Sequence, residues 1–252
     1  GHLVEAKNKE LRTALADSST EGVVKVSPKQ KKELVQLRDT MERHRLRAKL
    51  SLPRLLEDYK LTYAQIVKDS PSKIPTDRTE QTRLFLPKFP GEGKIWIGGQ
   101  HDSGQEHDAK HFKTRDERMK EEIFNHAYIC PSTFKETSIS RSNKNVNARP
   151  FLVVESDVLK KDEVGAIFRW LDQKVGLELV AVVDTAGKSL HGWFALPENT
   201  DLTEMKLILP ALGCDPKLFT ESQPVRLPGG LRSFPQTTGL SETKVQNLIY
   251  LK

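Results

Sequence analysis

The chain has 252 residues, of which 37% are hydrophobic and 29% are charged, so it can form one large domain or two small ones around a real core. Its net charge of +6 suits a polyanionic partner without identifying one. Two cysteines cannot build a disulfide scaffold and indicate a cytoplasmic protein, and no apolar run reaches the ~20 residues of a membrane span, so we expect no membrane partner.

The two ends of the sequence indicate a piece of a longer protein. The chain begins with Gly1-His2 instead of Met, as it would after a purification tag, and it shows no signal peptide. It ends on LIYLK, which is typical of a strand. We therefore expect the native chain to continue past Lys252.

Residues 1–75 are predicted to form a helical, basic N-terminal region. Ser27 is suited to the N-cap and Pro28 to the first helical position. A narrow apolar stripe follows, made of Leu34, Leu37, Met41 and Leu46. Basic side chains cover much of the rest: Lys29, Lys31, Lys32, Arg38, Arg43, Arg45, Arg47 and Lys49. A solvated helix that packs by its stripe and a helix that contacts nucleic acid both fit this pattern.

A second helical segment, from Leu52 to Val67, is expected to fold back on the first. The following stretch KDSPSKIPTDRTEQ is rich in Pro, Ser and Asp, which indicates a loop. We place the domain boundary in this loop, near residue 75.

Residues 76–252 are predicted to form one α+β domain. The stretch RLFLPKFPGEGKIWIGG predicts a strand, a Pro-Gly turn and a second strand. From Phe151 onward the pattern is regular: strand FLVVE, a helix closed by Gly176, strand LELVAVVD, a strand within GKSLHGWFAL, helix TEMKLILPALGCD, extended PVRLPGGLR and strand VQNLIYLK. This order predicts a small sheet with helices on one face.

Several possible metal ligands lie before this regular part of the sequence: His101, His107, His111, His126 and Cys130. No tight pair among them has the spacing of a structural zinc site. We therefore do not expect structural zinc, and we interpret the histidines as surface or loop residues.

Two acidic residues end the strand that begins at Phe151. Because successive strand side chains point to opposite faces, Glu155 and Asp157 share a face, roughly 6–7 Å apart. They fit a solvated strand-end loop, and they also fit a magnesium site, since magnesium prefers carboxylate and phosphate oxygens.

Two further motifs follow on the predicted sheet. In GKSLHGW, Ser189 and His191 also share a face, and in GCDPKLFTESQPVRLPGGLR an acid, Asp215, precedes the arginines Arg226 and Arg232. Each motif has a simpler interpretation when taken alone. Asp215 suits an Asp-Pro turn, His191 suits a hydrogen-bonded strand position, and LPGG suits a turn.

In their order along the chain, these motifs resemble the archaeo-eukaryotic primase superfamily, the primase-polymerases of plasmid, phage and integrative-element replication proteins. That family combines an acidic pair on one strand, a Ser-x-His strand, a third acid after an apolar residue, and an arginine-proline-glycine segment. The resemblance covers roughly residues 145–235 and, beyond these, parts of residues 80–130. It implies a core with an RRM-like antiparallel sheet covered by helices. One departure is Glu155, where many members have Asp.

The resemblance also implies roles for individual residues. Glu155, Asp157 and Asp215 would be catalytic and would hold two Mg²⁺ or Mn²⁺ ions. The incoming nucleotide, an NTP or dNTP, would be bound by Lys188, Ser189, His191, Arg226 and Arg232.

The implied function is a template-dependent nucleotidyltransferase, a DNA primase or primase-polymerase that makes or extends primers on single-stranded DNA, with a replicative helicase as a possible partner. We expect basic residues of the first helix, or Lys144 and Arg149, to contact the DNA. The alternative is a catalytically weak single-strand-binding module of a replication protein that works with a helicase. A metal-dependent nuclease would need a Glu-x-Lys strand, and a replication nickase would need a tyrosine near a His-rich strand. We find neither pattern.

Overall fold

The computed structural model describes residues 27–99, 109–235 and 241–252. Contacts divide the chain into two units, residues 1–44 and residues 45–252. Within the first unit, the described residues form the start of a long helix. The rest of that helix and all strands given below belong to the second unit.

The helices are α1 Pro28–Asp58, α2 Tyr63–Lys68, α3 Arg78–Phe85, α4 Arg115–Met119, α5 Lys161–Trp170 and α6 Met205–Ala211. A π-helical turn, Leu171–Val175, extends α5. Short 3-10 helices cover Leu86–Lys88, Ala109–His111, Asn143–Asn145 and Pro216–Phe219.

The strands are β1 Lys94–Gly98, β2 Phe112–Lys113, β3 Tyr128–Phe134, β4 Val146–Ala148, β5 Phe151–Val154, β6 Leu179–Asp184, β7 Leu190–Ala195, β8 Val225–Arg226, β9 Leu231–Pro235, β10 Ser241–Val245 and β11 Asn247–Leu251. The central sheet has the order β11-β6-β7-β5, and all its neighbouring strands are antiparallel. A second antiparallel sheet has the order β2-β1-β3-β4, with β8 also paired to β3. Strands β9 and β10 form a separate two-stranded ribbon.

Strand β5 shows why the central sheet lies in the middle of the domain. Leu152 and Val154 point to one face and pack in a cluster with residues of α5. Phe151 and Val153 point to the other face and pack in a cluster with residues of α3 and the second sheet. Both faces are therefore buried, as the uninterrupted apolar sequence of this strand requires.

The prediction of a break before Leu52 is wrong, because α1 runs on to Asp58 and the next helix starts at Tyr63. Pro53 lies inside α1, where it removes one backbone donor. Its side chain is exposed, so water can satisfy the carbonyl group that loses its partner. Leu55, two residues later, is buried in the core and holds the helix in place.

The strand predicted within RLFLPKF is also wrong. This stretch forms the end of α3 and a 3-10 helix. The side chain of Asp77 accepts a hydrogen bond from the backbone N–H of Glu80 at 2.9 Å, which caps α3 inside the stretch predicted to be a loop.

The predicted order of strands and helices after Phe151 is confirmed, and so is the α+β class with antiparallel sheets. The structure adds strand β10, which was not predicted, and a turn at Pro228-Gly229 divides the predicted extended segment into β8 and β9. Gly176 adopts φ 82° directly after the π-helical turn, as its predicted capping role requires. The domain boundary near residue 75 stays a prediction. Within the described ranges, no helix has the length and apolar character needed to cross a membrane.

Gly165 provides a test of how α5 packs. A Cβ atom at this position would meet the carbonyl oxygen of Leu61 closer than 3.0 Å. Gly165→Ala should therefore lower the free energy of unfolding by about 1–3 kcal/mol. This loss is expected even though alanine is more favourable than glycine by ~1 kcal/mol at a helix position where no neighbour clashes with the Cβ atom. Urea unfolding measures this difference. Gly91→Ala is the control, because its nearest neighbour, Arg115, is 3.5 Å away. Equal stability of the two variants would contradict the close approach at Gly165.

Candidate active site

The register of the central sheet brings two of the predicted motifs to one edge. Val154, the last residue of β5, pairs with Gly192 of β7. Glu155 therefore emerges beside the start of β7, where Ser189 and His191 lie two residues apart. The prediction that Ser189 and His191 share a face is confirmed by their common partner, described next.

Glu155 accepts hydrogen bonds from both of these residues on a single carboxylate oxygen. The Oε2 atom lies 2.6 Å from His191 Nε2 and 3.1 Å from Ser189 Oγ. The exposed fraction of the side chain is 15% for Glu155 and 5% for His191, so the pair is largely shielded from water. His191 Nδ1 is buried and has no hydrogen-bond partner in the part of the chain that the structure describes.

The surroundings of Glu155 favour its charged form. Burial alone would raise the pKa of this carboxyl group. The charge and hydrogen bond of His191, the hydroxyl of Ser189 and the charge of Arg226 together outweigh burial and hold the pKa below its ordinary value of 4.5. Glu155 is therefore a carboxylate at neutral pH.

Two hydrogen bonds join the segment after β5 to the segment before Pro216. The backbone N–H of Asp215 donates to the carbonyl oxygen of Glu155 at 2.9 Å. The buried hydroxyl of Ser156 donates to the carbonyl oxygen of Gly213 at 2.5 Å. Ser156 Oγ also accepts from the backbone N–H groups of Val158 at 3.2 Å and Leu159 at 3.0 Å. The two acid-bearing segments are thus held together, although about 60 residues separate them in the sequence.

The three predicted metal ligands differ in what their side chains do. Glu155 binds His191 and Ser189, as described above. Asp215 Oδ1 accepts from the backbone N–H of Lys217 at 2.9 Å, so Asp215 performs the turn role that the sequence left open. Asp157 is exposed. Across residues 27–99, 109–235 and 241–252, no three His, Cys, Asp or Glu side chains form a group able to hold a metal ion. The shared site for the three carboxylates stays a prediction.

The predicted phosphate-binding residues lie around the same edge. The guanidinium carbon of Arg226 lies 4.4 Å from the ring centroid of Tyr128, and its charge acts on Glu155. Arg232 Nη1 donates to the carbonyl oxygen of Thr185 at 3.2 Å, in the turn that leads to β7. Lys188 is exposed in that turn. Arg226 is therefore the arginine whose charge acts on the carboxylate of Glu155, and Arg232 and Lys188 contribute charge at the turn before β7.

An ion pair outside the sequence predictions fixes the same edge of the sheet. Lys161, at the start of α5, lies 2.9 Å and 2.7 Å from the two carboxylate oxygens of Asp184, at the end of β6. Burial and the nearby charge of Asp184 raise the pKa of Tyr63 to about 12, and the Tyr63 ring packs 5.3 Å from Lys161 Nζ. No local pattern identifies this contact, because its members come from three separate elements.

A cleft of about 980 Å³ lies at the opposite end of β5 and β7. Arg149, one of its lining residues, donates to the backbone carbonyls of Leu218 at 2.8 Å and Phe219 at 2.9 Å. The guanidinium of Arg149 thus stabilises the 3-10 helix after Asp215. None of the predicted catalytic residues lines this cleft.

The interpretation of His111 as a surface or loop residue is wrong. The residue is only 4% exposed, and its Nδ1 atom lies 2.9 Å from the carbonyl oxygen of Ile97. The side chain packs there because the next residue, Phe112, starts a strand paired to β1. His101 and His107 lie outside the described residues.

Comparisons of the chain with protein-family models, with curated proteins and with solved structures found no match. The resemblance to the primase-polymerases therefore depends on the sequence motifs, and it stays a prediction.

Ser156 and Cys214 together allow a test of the contact between the two segments. Burial raises the pKa of Cys214 to about 12, so its thiol stays protonated and reacts slowly at pH 8. Ser156→Ala removes the bond to Gly213 and should cost about 1–2 kcal/mol of local stability. Alkylation of Cys214 should then accelerate roughly 5- to 30-fold, as measured by peptide mapping over time.

Ser132 and Cys130 supply a matched control in the second sheet. Ser132 Oγ donates to the carbonyl oxygen of Glu221 at 2.7 Å, and burial raises the pKa of Cys130 to about 12. Ser132→Ala should accelerate alkylation of Cys130 and leave Cys214 unchanged. If Ser156→Ala exposes both cysteines equally, its effect is global unfolding and not separation of the two segments.

Proposed function

We propose that this chain is a template-dependent nucleotidyltransferase, a DNA primase or primase-polymerase acting on single-stranded DNA. The observation that carries the proposal is the joining of three motifs at one sheet edge. Glu155 binds Ser189 and His191 through its side chain and Asp215 through its backbone. The proposed fold is the primase-polymerase core with its RRM-like sheet, and a replicative helicase is the proposed partner.

The proposed cofactor is a pair of Mg²⁺ or Mn²⁺ ions, held by Glu155, Asp157 and Asp215. The donor chemistry fits, since all three are carboxylates and oxygen is the ligand atom that these ions prefer. Bound ions would supply activation of the attacking hydroxyl group and stabilisation of the leaving pyrophosphate. The ionised state of Glu155 suits this role, because no proton has to leave before a cation binds.

The remaining residues are proposed to bind the NTP or dNTP. His191 donates its Nε2–H to a carboxylate in this structure, so it presents a donor that the triphosphate, another anion, can compete for. Arg226 and Arg232 carry planar guanidinium groups that match phosphate oxygens, and Lys188 adds a charge on the exposed turn. Ser189 orients the carboxylate of Glu155 beside them.

A single-strand-binding module without strong catalysis is the second candidate. The observation that favours it is the side chain of Asp215, whose Oδ1 caps a 3-10 helix. A chain that used Asp215 only for this cap would keep the fold and the cationic residues Lys188, Arg226 and Arg232. It would lack the third metal ligand.

Asp157→Ala should separate catalysis from DNA binding. Loss of one carboxylate should lower nucleotide incorporation at least 100-fold, since it removes alignment and charge stabilisation in the transition state. Binding of single-stranded DNA should stay within about twofold, because it depends on Lys and Arg residues. Primer extension with Mg²⁺ or Mn²⁺ and a binding titration measure the two effects. Glu198→Ala, an exposed acid beyond the far end of β7, is the control and should leave both unchanged.

Two results would contradict the assignment in different ways. Activity of Asp157→Ala equal to wild type would place the metal site on other residues. A wild-type protein that binds DNA and incorporates nothing with either ion would support the binding module instead.

His191→Ala should act mainly on capture of the nucleotide. We expect KM for the nucleotide to rise about tenfold or more, with much of the lost rate recovered at high nucleotide concentration. Initial rates across a nucleotide series give KM and kcat separately. A fall in kcat alone, with KM unchanged, would show that His191 contributes to the chemical step and not to binding of the triphosphate.

A further inference from the structure

The ribbon formed by β9 and β10 has one face that carries cations and an aromatic ring. Arg232 pairs with Lys244, and Phe234 pairs with Glu242. Because strand side chains alternate between faces, these four residues lie on the same side of the ribbon. We call this set, Arg232, Phe234, Glu242 and Lys244, the ribbon face.

The ribbon face borders the candidate active site. Arg232 donates to the carbonyl oxygen of Thr185. Its guanidinium also packs against Gly187, where an added Cβ atom would lie only 2.6 Å from Arg232 Nη1. Thr185 and Gly187 belong to the turn that ends at Ser189, whose hydroxyl binds Glu155. A molecule lying on the ribbon face would therefore lie beside the residues proposed to bind the nucleotide.

Phe234 on this face is not a core residue. It is partly exposed and belongs to none of the hydrophobic clusters found among the described residues. Two cations contact its ring instead, with Arg232 Cζ at 4.8 Å and Lys244 Nζ at 5.6 Å from the ring centroid. Since Arg232 and Lys244 are directly opposite each other in the ladder, both approach the ring from the same end of the ribbon.

The charge on the face favours an anionic ligand. Glu242 Oε1 lies 3.2 Å from Lys244 Nζ and offsets one of the two positive charges, with both side chains about half exposed. An exposed pair of this kind contributes little to stability, so a phosphate group can replace the carboxylate at small cost. An aromatic ring next to phosphate-binding cations is the combination used to hold single-stranded nucleic acid, where bases stack on the ring and cations follow the backbone.

We propose that the ribbon face binds the single-stranded DNA template, with one base stacked on Phe234 and an adjacent phosphate on Lys244. This inference rests on the proposed function, because it takes the strand on the ribbon to be the template for the nucleotide held beside Glu155. Arg232 lies between the two sites and connects the template strand to the turn that carries Ser189.

Binding to two fluorescent oligonucleotides of equal length tests the stacking. One is a 20-nucleotide thymidine strand and the other has an abasic backbone without bases. Wild type should bind the thymidine strand on the order of tenfold tighter, because stacking of one base contributes that much. Phe234→Leu should bring the difference below about threefold, and Phe234→Trp should keep it. The tryptophan variant shows that a loss in the leucine variant reflects the ring and not misfolding.

The charged residues give an independent measure. Lys244→Ala should weaken binding of both strands and reduce the magnitude of the slope of log Kd against log salt by about 0.7, the value for one phosphate contact on a single strand. Glu242→Gln should strengthen binding of both strands. Thr243→Ala, on the opposite face of the ribbon, and Lys174→Ala, an exposed lysine after α5, are the controls and should match wild type.

Failure of this inference can be told apart from failure of the proposed function. If Phe234→Leu still prefers the thymidine strand as wild type does, the ribbon face is not the stacking site, whatever the primer-extension assay shows. If Phe234→Leu weakens binding of a DNA duplex as much as binding of the thymidine strand, stacking is also overturned, because the bases of a duplex are already stacked on each other. If wild type incorporates no nucleotide while the dependence on Phe234 persists, the binding site stands and the polymerase function fails.

Discussion

The buried negative charge of Glu155 is the constraint on which the site depends. An ionised carboxylate that is mostly shielded from water is costly unless cations and donors surround it. Ser189 and His191 can serve as donors only if β5 and β7 keep their register, since a shift of one residue would turn both side chains to the other face. The hydrogen bonds of Ser189 and His191 to Glu155 therefore form only when β5 and β7 are paired in this register.

The rest of the domain supports that register. Helices pack on one face of the central sheet and the second sheet packs on the other, so β5 to β7 cannot slide without exposing apolar side chains. At the edge, the ion pair of Lys161 with Asp184 fixes the start of α5 to the end of β6. The hydroxyl of Ser156, which follows β5, fixes the segment that contains Gly213 to the same edge. Tight packing on two faces and polar bonds at one edge give a rigid site, which suits ligands that must be positioned accurately.

The sequence predicted the parts that depend on local pattern. Strands β5 and β6 are apolar runs that contain β-branched valines, and the spacing of Ser189 and His191 was enough to place them on one face. Helix α3 was missed because its apolar residues resemble a strand, and its start depends on a single capping bond from Asp77. Ser156 and Tyr128 were missed for a different reason. Their partners, Gly213 and Arg226, are distant in sequence, so no local pattern reveals the contact.

The bond between Asp215 and Glu155 has a consequence for how variants at position 215 are interpreted. It uses the backbone N–H group, which every residue except proline possesses. Exchange of the Asp215 carboxylate for an amide therefore leaves the two segments attached, and an asparagine side chain can still cap the 3-10 helix. Residue 215 can therefore change to any residue except proline without loss of this backbone bond, so the contact between the two segments does not itself require an acid here.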